Sequence, residues 1–159
     1  MPSPPNAAFM QRAIELAVQA VESKTGGPFG AVVVKDGQIV GEGQNRVTST
    51  NDPTAHAEVE ALRAAGGALG TFDLTGCELY TSCEPCPMCL AAALWSRIDS
   101  IAFAGTRDDA AAAGFDDKAF YAELALPEAE RRVPMTPFLH ADAARAFAAW
   151  QAQVDRRPY

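Results

Sequence analysis

Apolar residues recur at intervals of three and four between Phe9 and Val21. Phe9, Ala13, Ile14, Ala17, Val18 and Val21 fall on one face. That period predicts an amphipathic helix over residues 7–24, with Asn6 placed to cap it and Gly26-Gly27-Pro28 to end it. The pattern then changes. Residues 29–35 form a β-branched run, Asp36-Gly37 is a tight-turn signal, and a second run covers residues 38–44. Together they predict an antiparallel hairpin. Residues 45–53 read as loop and 54–65 as a helix stopped by Gly66-Gly67. A short strand over 78–81 follows the Thr75-Gly76 turn, then a helix over 85–96 and a strand over 100–104. Alternating strands and helices predict parallel strands joined by helical crossovers. Further on, residues 108–117 read as loop and 117–124 as a short helix. Residues 133–139 read as a last strand, kept at an edge by Pro134 and Pro137, and residues 141–154 as a terminal helix. The sum is an α/β fold: a three-layer α/β/α sandwich on a mixed five-stranded sheet with an antiparallel hairpin at one side.

A chain of 159 residues, 48% hydrophobic, fits one domain over residues 1–159 with material for a real core. No apolar run reaches membrane-spanning length. The start, Met1-Pro2-Ser3-Pro4-Pro5-Asn6, lacks the basic end and apolar run of a secretory signal. The expectation is a cytoplasmic protein with no membrane partner. In such a compartment disulfides are rare, and a C-x-x-C pair reads as metal or redox chemistry. The formal net charge is −7, and basic residues cluster only at Arg131-Arg132 and Arg156-Arg157. This balance speaks against a nucleic-acid partner and favours a small neutral substrate.

Two strings carry chemistry: His56-Ala57-Glu58 and Pro85-Cys86-Pro87-Met88-Cys89. They supply one imidazole, two thiols and a spare carboxylate. A catalytic zinc wants three protein ligands and an open fourth position for water, whose pKa falls to about 7 on the metal. His56, Cys86 and Cys89 meet that count. Cys86 and Cys89, three apart in the first turn of a helix, share a face, and a helix start favours thiolate. Glu58, two residues from His56, is badly placed to ligate the same metal. It is well placed to move a proton from the water to a leaving amine. A structural zinc or a redox dithiol are the alternatives, and both leave Glu58 without a role. Cys77 and Cys83 read as small buried hydrophobes.

His-x-Glu followed by Pro-Cys-x-x-Cys is the signature of the nucleobase zinc deaminases. The chain resembles the cytidine-deaminase-like superfamily over nearly its whole length, and within it the bacterial guanine deaminases. The resemblance is carried by the residues from Gly26 to Gly37, Asn45, Asn51 to Val59, Tyr80 to Cys89, Ala113-Gly114-Phe115-Asp116-Asp117, Phe147-Ala148-Ala149-Trp150 and the terminal Tyr159. It implies zinc (Zn2+) on His56, Cys86 and Cys89, and proton transfer by Glu58. The purine ring would be held by Asp117 with Asn45 beside it. It also implies a homodimer that exchanges a C-terminal segment of about residues 140–159, bringing Tyr159 to the partner's site. Glu123 is a second acidic candidate. An ionised Asp only accepts hydrogen bonds, so Asp117 suits a ring edge rich in N–H, as in free guanine. On the residues alone, Asp117 also fits a solvated loop acid or a helix cap, Tyr159 a frayed end, and Asn45 a strand-end cap. Phe29 and Trp95 read as core, and His140 as a surface or cap residue. The expected reaction is hydrolysis of guanine to xanthine and ammonia. The competing readings are another small aminated ring (aminotriazine, cytosine or a nucleoside), tRNA adenosine deamination, and a non-enzymatic zinc-stabilised dimer.

Overall fold

The strand Gly30–Lys35 (β1) is a continuous apolar run because both its faces are covered. Ala31 and Val33 point into one core with Ala57, Ala61, Ala65, Leu79 and Ala93. Val32 and Val34 point to the opposite side, against Leu16 and Tyr80. This computed structural model describes residues 4–159; residues 1–3, part of the N-terminal stretch read against a secretory signal, lie outside the described residues. The helix Ala7–Glu22 (α1) precedes β1, and Asn6 caps it by accepting from Ala8 N. Asp36-Gly37 turns the chain into Gln38–Gln44 (β2). A short helix, Val47–Thr50 (α2), lies in the segment read as loop. The helix Ala57–Leu69 (α3), the strand Cys77–Cys83 (β3), the helix Pro87–Trp95 (α4) and the strand Ser100–Gly105 (β4) follow.

The sheet order is β2-β1-β3-β4. β1 runs antiparallel to both β2 and β3, whereas β3 and β4 are parallel. So β2, β3 and β4 point the same way and the helices α3 and α4 are the crossovers between them. The cores on the two faces of β1 make the three layers: α3 and α4 on one side, α1 on the other.

Backbone proximity sets the depth of α3. A Cβ on Gly43 would lie 2.1 Å from Ala57 O, and one on Gly41 would lie 2.4 Å from Ala61 O. Helix backbone therefore rests directly on β2, which fixes the height of the first turn of α3.

The contact pattern divides the chain into two units, one through Tyr121 and one from Ala122 to Tyr159. The first ends with Arg107–Ala112 (α5) and the start of Asp117–Ala125 (α6). The second holds the rest of α6, a 3-10 turn at Glu128–Glu130 and the helix His140–Ala152 (α7). Its large apolar side chains are exposed: Phe138 at 84%, Phe147 at 68% and Val133 at 66%.

Several expectations are corrected. Residues 133–139 make no strand, because Pro134 and Pro137 lack the N–H a ladder needs. The sheet has four strands among the described residues, not five. Gly66-Gly67 does not stop α3, which runs to a left-handed Gly70 whose N–H bonds to Gly66 O. An interior glycine costs about 1 kcal/mol, too little to break a helix whose Ala57, Ala61 and Ala65 are fully buried. The segment 108–117 is not all loop. Thr106 accepts from Asp109 N at 3.2 Å, and the Asp109 carboxylate accepts from Thr106 N at 2.8 Å. This Thr-x-x-Asp capping box starts α5. Trp95 is 61% exposed rather than core.

Replacing Gly43 with Ala must push α3 off β2. We expect a loss of about 2–3 kcal/mol or more, read as a lower midpoint in denaturant unfolding, together with weaker metal binding.

Arg12 ties α1 to β2 through two 2.8 Å bonds to Glu42. This bond lowers the Glu42 carboxyl from 4.5. A lowered folded value stabilises above about pH 4.5 and the effect disappears as pH falls through it. The Arg12→Ala variant should therefore be less stable than the parent near neutrality by at most about 1 kcal/mol. Thermal unfolding followed as pH falls through the lowered Glu42 value should show the two converging.

Candidate active site

Both strings lie where helices begin, in the connections that follow β2 and β3. His56 is the N-cap of α3 and Cys86 the N-cap of α4, so each precedes the first helical turn rather than lying in it. Pro87 starts α4, where its missing N–H is not needed. Cys89 follows in the first turn. The lead-in to His56 is fixed locally: the Asp52 carboxylate accepts from Thr54 N and Thr54 Oγ1, and Arg46 N donates to Ala55 O. The C-terminal edge of parallel strands is where α/β folds place ligands.

His56 Nδ1 lies 3.6 Å from Cys86 Sγ and 3.4 Å from Cys89 Sγ. The three donor atoms lie within 4.8 Å of one another. A tetrahedral zinc with bonds of about 2.3 Å to sulfur and about 2.0 Å to nitrogen spaces those atoms about 3.5 Å apart. The donor set therefore fits zinc. Cys86 is nearly buried and Cys89 fully so. The expected acidity holds for Cys86, lowered to about 4, with a hydrogen bond from Cys89 as the largest cause. Cys89 moves the opposite way, pushed up by that same bond and by burial. Two sulfurs this close share one proton until a cation releases it, so the neighbouring thiol governs acidity here more than the helix end.

Glu58 sits in the first turn of α3, 6% exposed. Burial pushes its carboxyl up to about 7. Asn45 is buried, and its Oδ1 accepts from Gly27 N at 3.1 Å and Val47 N at 3.2 Å. Its oxygen is thus committed to the backbone, and its NH2 remains for a ligand. Asp117, first residue of α6, has a buried Oδ1 with no hydrogen-bond partner, and burial raises its carboxyl.

These groups meet in a cavity of about 250 Å³, lined by His56, Glu58, Cys86, Asn45 and Asp117 and walled by Phe29, Phe115 and Phe120. Phe29 and Phe115 pack edge to face, 4.8 Å between centroids. Phe29 thus serves core and cavity together. Sequence reasoning missed Glu84, Phe115, Asp116 and Phe120 as lining residues. The Tyr80–Cys89 and Ala113–Asp117 strings held three of them, but neither string assigns them a contact. Glu123 lies in the second unit, where its carboxylate accepts from Arg132 N. Tyr159 lies there too, 72% exposed. His140 is exposed as expected. Cys77 is buried in the core, while half-buried Cys83 bonds to Thr106 O.

Three soft donors at the strand ends of an α/β/α sandwich, with a buried carboxyl beside them, define a class: a zinc-dependent hydrolase. Residues 4–105 match the model of the cytidine and deoxycytidylate deaminase zinc-binding region. The chain belongs to that family. It is 49% identical to the guanine deaminase of Bacillus subtilis over 95% of this chain and 97% of that protein. The solved structure of a Bacillus subtilis guanine deaminase superposes with a TM-score of 0.93 at 47% identity, covering 98% of this chain and 99% of the other. The tRNA-specific adenosine deaminase of Aquifex aeolicus is 44% identical over 60% of this chain and 62% of its own. The structure of a guanine deaminase from Nitrosomonas europaea has a TM-score of 0.68 at 33% identity, over 94% and 85% of the two chains.

Replacing His56, Cys86 or Cys89 by Ala should weaken zinc binding more than about 100-fold, above the 10- to 100-fold cost of losing an outer-shell partner. Metal analysis after gel filtration reads this as lost zinc. Cys77→Ala should keep its metal.

Proposed function

We propose that the chain hydrolyses free guanine to xanthine and ammonia, as a step in purine metabolism. One observation carries the reading: a buried carboxyl, Glu58, and an unpartnered Asp117 oxygen share a small cavity with His56 and Cys86 of the zinc donor set. His56, Cys86 and Cys89 would hold the ion. Bound there, zinc supplies the Lewis acidity that lets water act as a nucleophile near neutral pH.

Glu58 does the proton work. Burial raises its carboxyl above the ordinary range, which favours proton uptake. It can accept a proton from the attacking water and return one to the leaving amine. Water adds across the ring C=N bond, with Glu58 passing one of its protons to the ring nitrogen. Glu58 then passes the remaining hydroxyl proton to the amine, the C–N bond breaks, the C=O forms and ammonia leaves. Asp117 accepts from the N–H groups of the guanine edge, and the Asn45 NH2 donates to a ring acceptor. The Phe29–Phe115 pair offers an apolar wall to a flat base.

Size and charge favour a free base. At about 250 Å³ the cavity lies below the usual range for drug-sized ligands. A net charge of −7 suits neither tRNA nor another polyanion. The reading includes a single functional domain over 1–159 working as a homodimer. Residues 140–159 would exchange between subunits, bringing Tyr159 to the partner's cavity. What supports it is the apolar exposure of Phe138, Phe147 and Val154, more than a segment facing only water would carry. A cytoplasmic location is supported by four free cysteines.

Ammonia and xanthine release from guanine by zinc-loaded protein tests the activity. The Glu58→Gln variant should keep its zinc and lose about 10²- to 10⁴-fold in kcat. Unchanged turnover in that variant removes Glu58 from the mechanism. A faster reaction with cytosine, an aminotriazine or a nucleoside would reassign the substrate.

A further inference from the structure

Four carboxylates line one cavity: Glu58, Glu84, Asp116 and Asp117. Like charges this close repel, and Glu84 is the one with a resident counter-charge. Arg107 N donates to Glu84 Oε2 at 3.0 Å and Arg107 Nε to Glu84 Oε1 at 3.0 Å, while Nη2 also pairs with Oε1. The same guanidinium lies over the Tyr121 ring, 3.9 Å from its centroid. The Tyr121 hydroxyl donates to Pro85 O at 2.6 Å. Glu84 N in turn donates to Gly105 O at the end of β4.

These contacts join two segments that the core does not join. Glu84 and Pro85 lead directly into Cys86. Tyr121 lies one turn beyond Asp117 on α6, so the two share a face. The helix α6 has no buried residue; burial cannot be what places it. An Arg suits the junction because its fork grips the carboxylate while its plane stacks on the ring.

We infer that Arg107 is a positioning residue: through Glu84 and Tyr121 it locks α6, and with it Asp117, at a fixed place against the Glu84-Pro85-Cys86 strap. This rests on the reading of Asp117 as the group that holds the purine. Arg107 touches neither substrate nor metal in this role.

The test uses zinc-loaded protein, with KM and kcat for guanine, the Kd of xanthine by calorimetry, zinc content and Tm. Arg107→Ala and Tyr121→Phe should raise KM and the xanthine Kd by roughly 10- to 100-fold, leave zinc content unchanged and change kcat less. Arg107→Lys should fail to restore binding. In an Asp117→Ala background the Arg107→Ala change should cost less than about threefold, because coupled residues are not additive. If Arg107→Ala costs as much there as in the parent, or if Arg107→Lys binds normally, the inference is overturned. If Asp117→Ala alone leaves KM and the xanthine Kd unchanged, the reading of Asp117 fails first, and that outcome is distinct. Should Arg107→Ala lower Tm too far to assay, Tyr121→Phe with and without Asp117→Ala decides.

Discussion

Two helices can begin side by side at one edge of a sheet only if the strands before them run the same way. Here β2 and β3 do, and antiparallel β1 lies between them. That insertion matters dimensionally. Strands two apart are separated by about 9.5 Å, which matches the 8–10 Å between packed helices. Each crossover helix can therefore stand above its own strand, with both N-termini at one end. Gly41 and Gly43 then draw α3 onto β2 until backbone meets backbone. The imidazole of one N-cap and the thiols of the next N-cap and first turn come within 4.8 Å as a result.

That convergence has an electrostatic cost. The cavity is lined by Cys86, His56 and four carboxylates, and Cys89 completes the donor set beside it. Cys86 is acidified and Cys89 the reverse; Glu58 and Asp117 are raised, mainly by burial. A divalent cation at the donor set offsets the charge of two thiolates, which is why binding it would release protons. Arg107 offsets Glu84 in the same cavity. Of the four carboxylates, Glu58, Asp116 and Asp117 are left without such a counter-charge.

The sheet and its metal end were legible in the sequence because they follow from local chemistry. Asp36-Gly37 set the hairpin turn, and β2 came out with its predicted bounds, although a bulge between Val33 and Val34 shifts the register farther along. His-x-Glu and Cys-x-x-Cys are spacing rules that need no tertiary knowledge. Failures came where a local signal was weighed wrongly. Gly66-Gly67 looked like a stop, but packing along Ala57, Ala61 and Ala65 outweighs two glycines. The fifth strand took Pro134 and Pro137 as compatible with an edge position, but two missing donors within seven residues leave too little ladder even there. The Thr106–Asp109 capping box was readable and went unread. The Arg107–Glu84 and Tyr121–Pro85 contacts were not readable, since they join residues 23 and 36 positions apart.

The proposed division between chemistry and selection has a physical basis in how each part is held. The family match ends at residue 105, just before Arg107. Inside it, Cys86, Cys89 and Glu58 are set on elements whose neighbours are fully buried alanines, valines and leucines. Moving any of these groups by an ångström means repacking a core at native density, which costs kilocalories. Beyond it, Asp117 sits on a helix with no buried residue, reached through Gly114 in a left-handed conformation. Its place depends on a handful of polar contacts. A change among those contacts can reshape what the cavity holds without touching the donors that would bind zinc. Relatives that share the first part can therefore run the same hydrolysis on different amines, as a guanine deaminase and a tRNA-specific adenosine deaminase do.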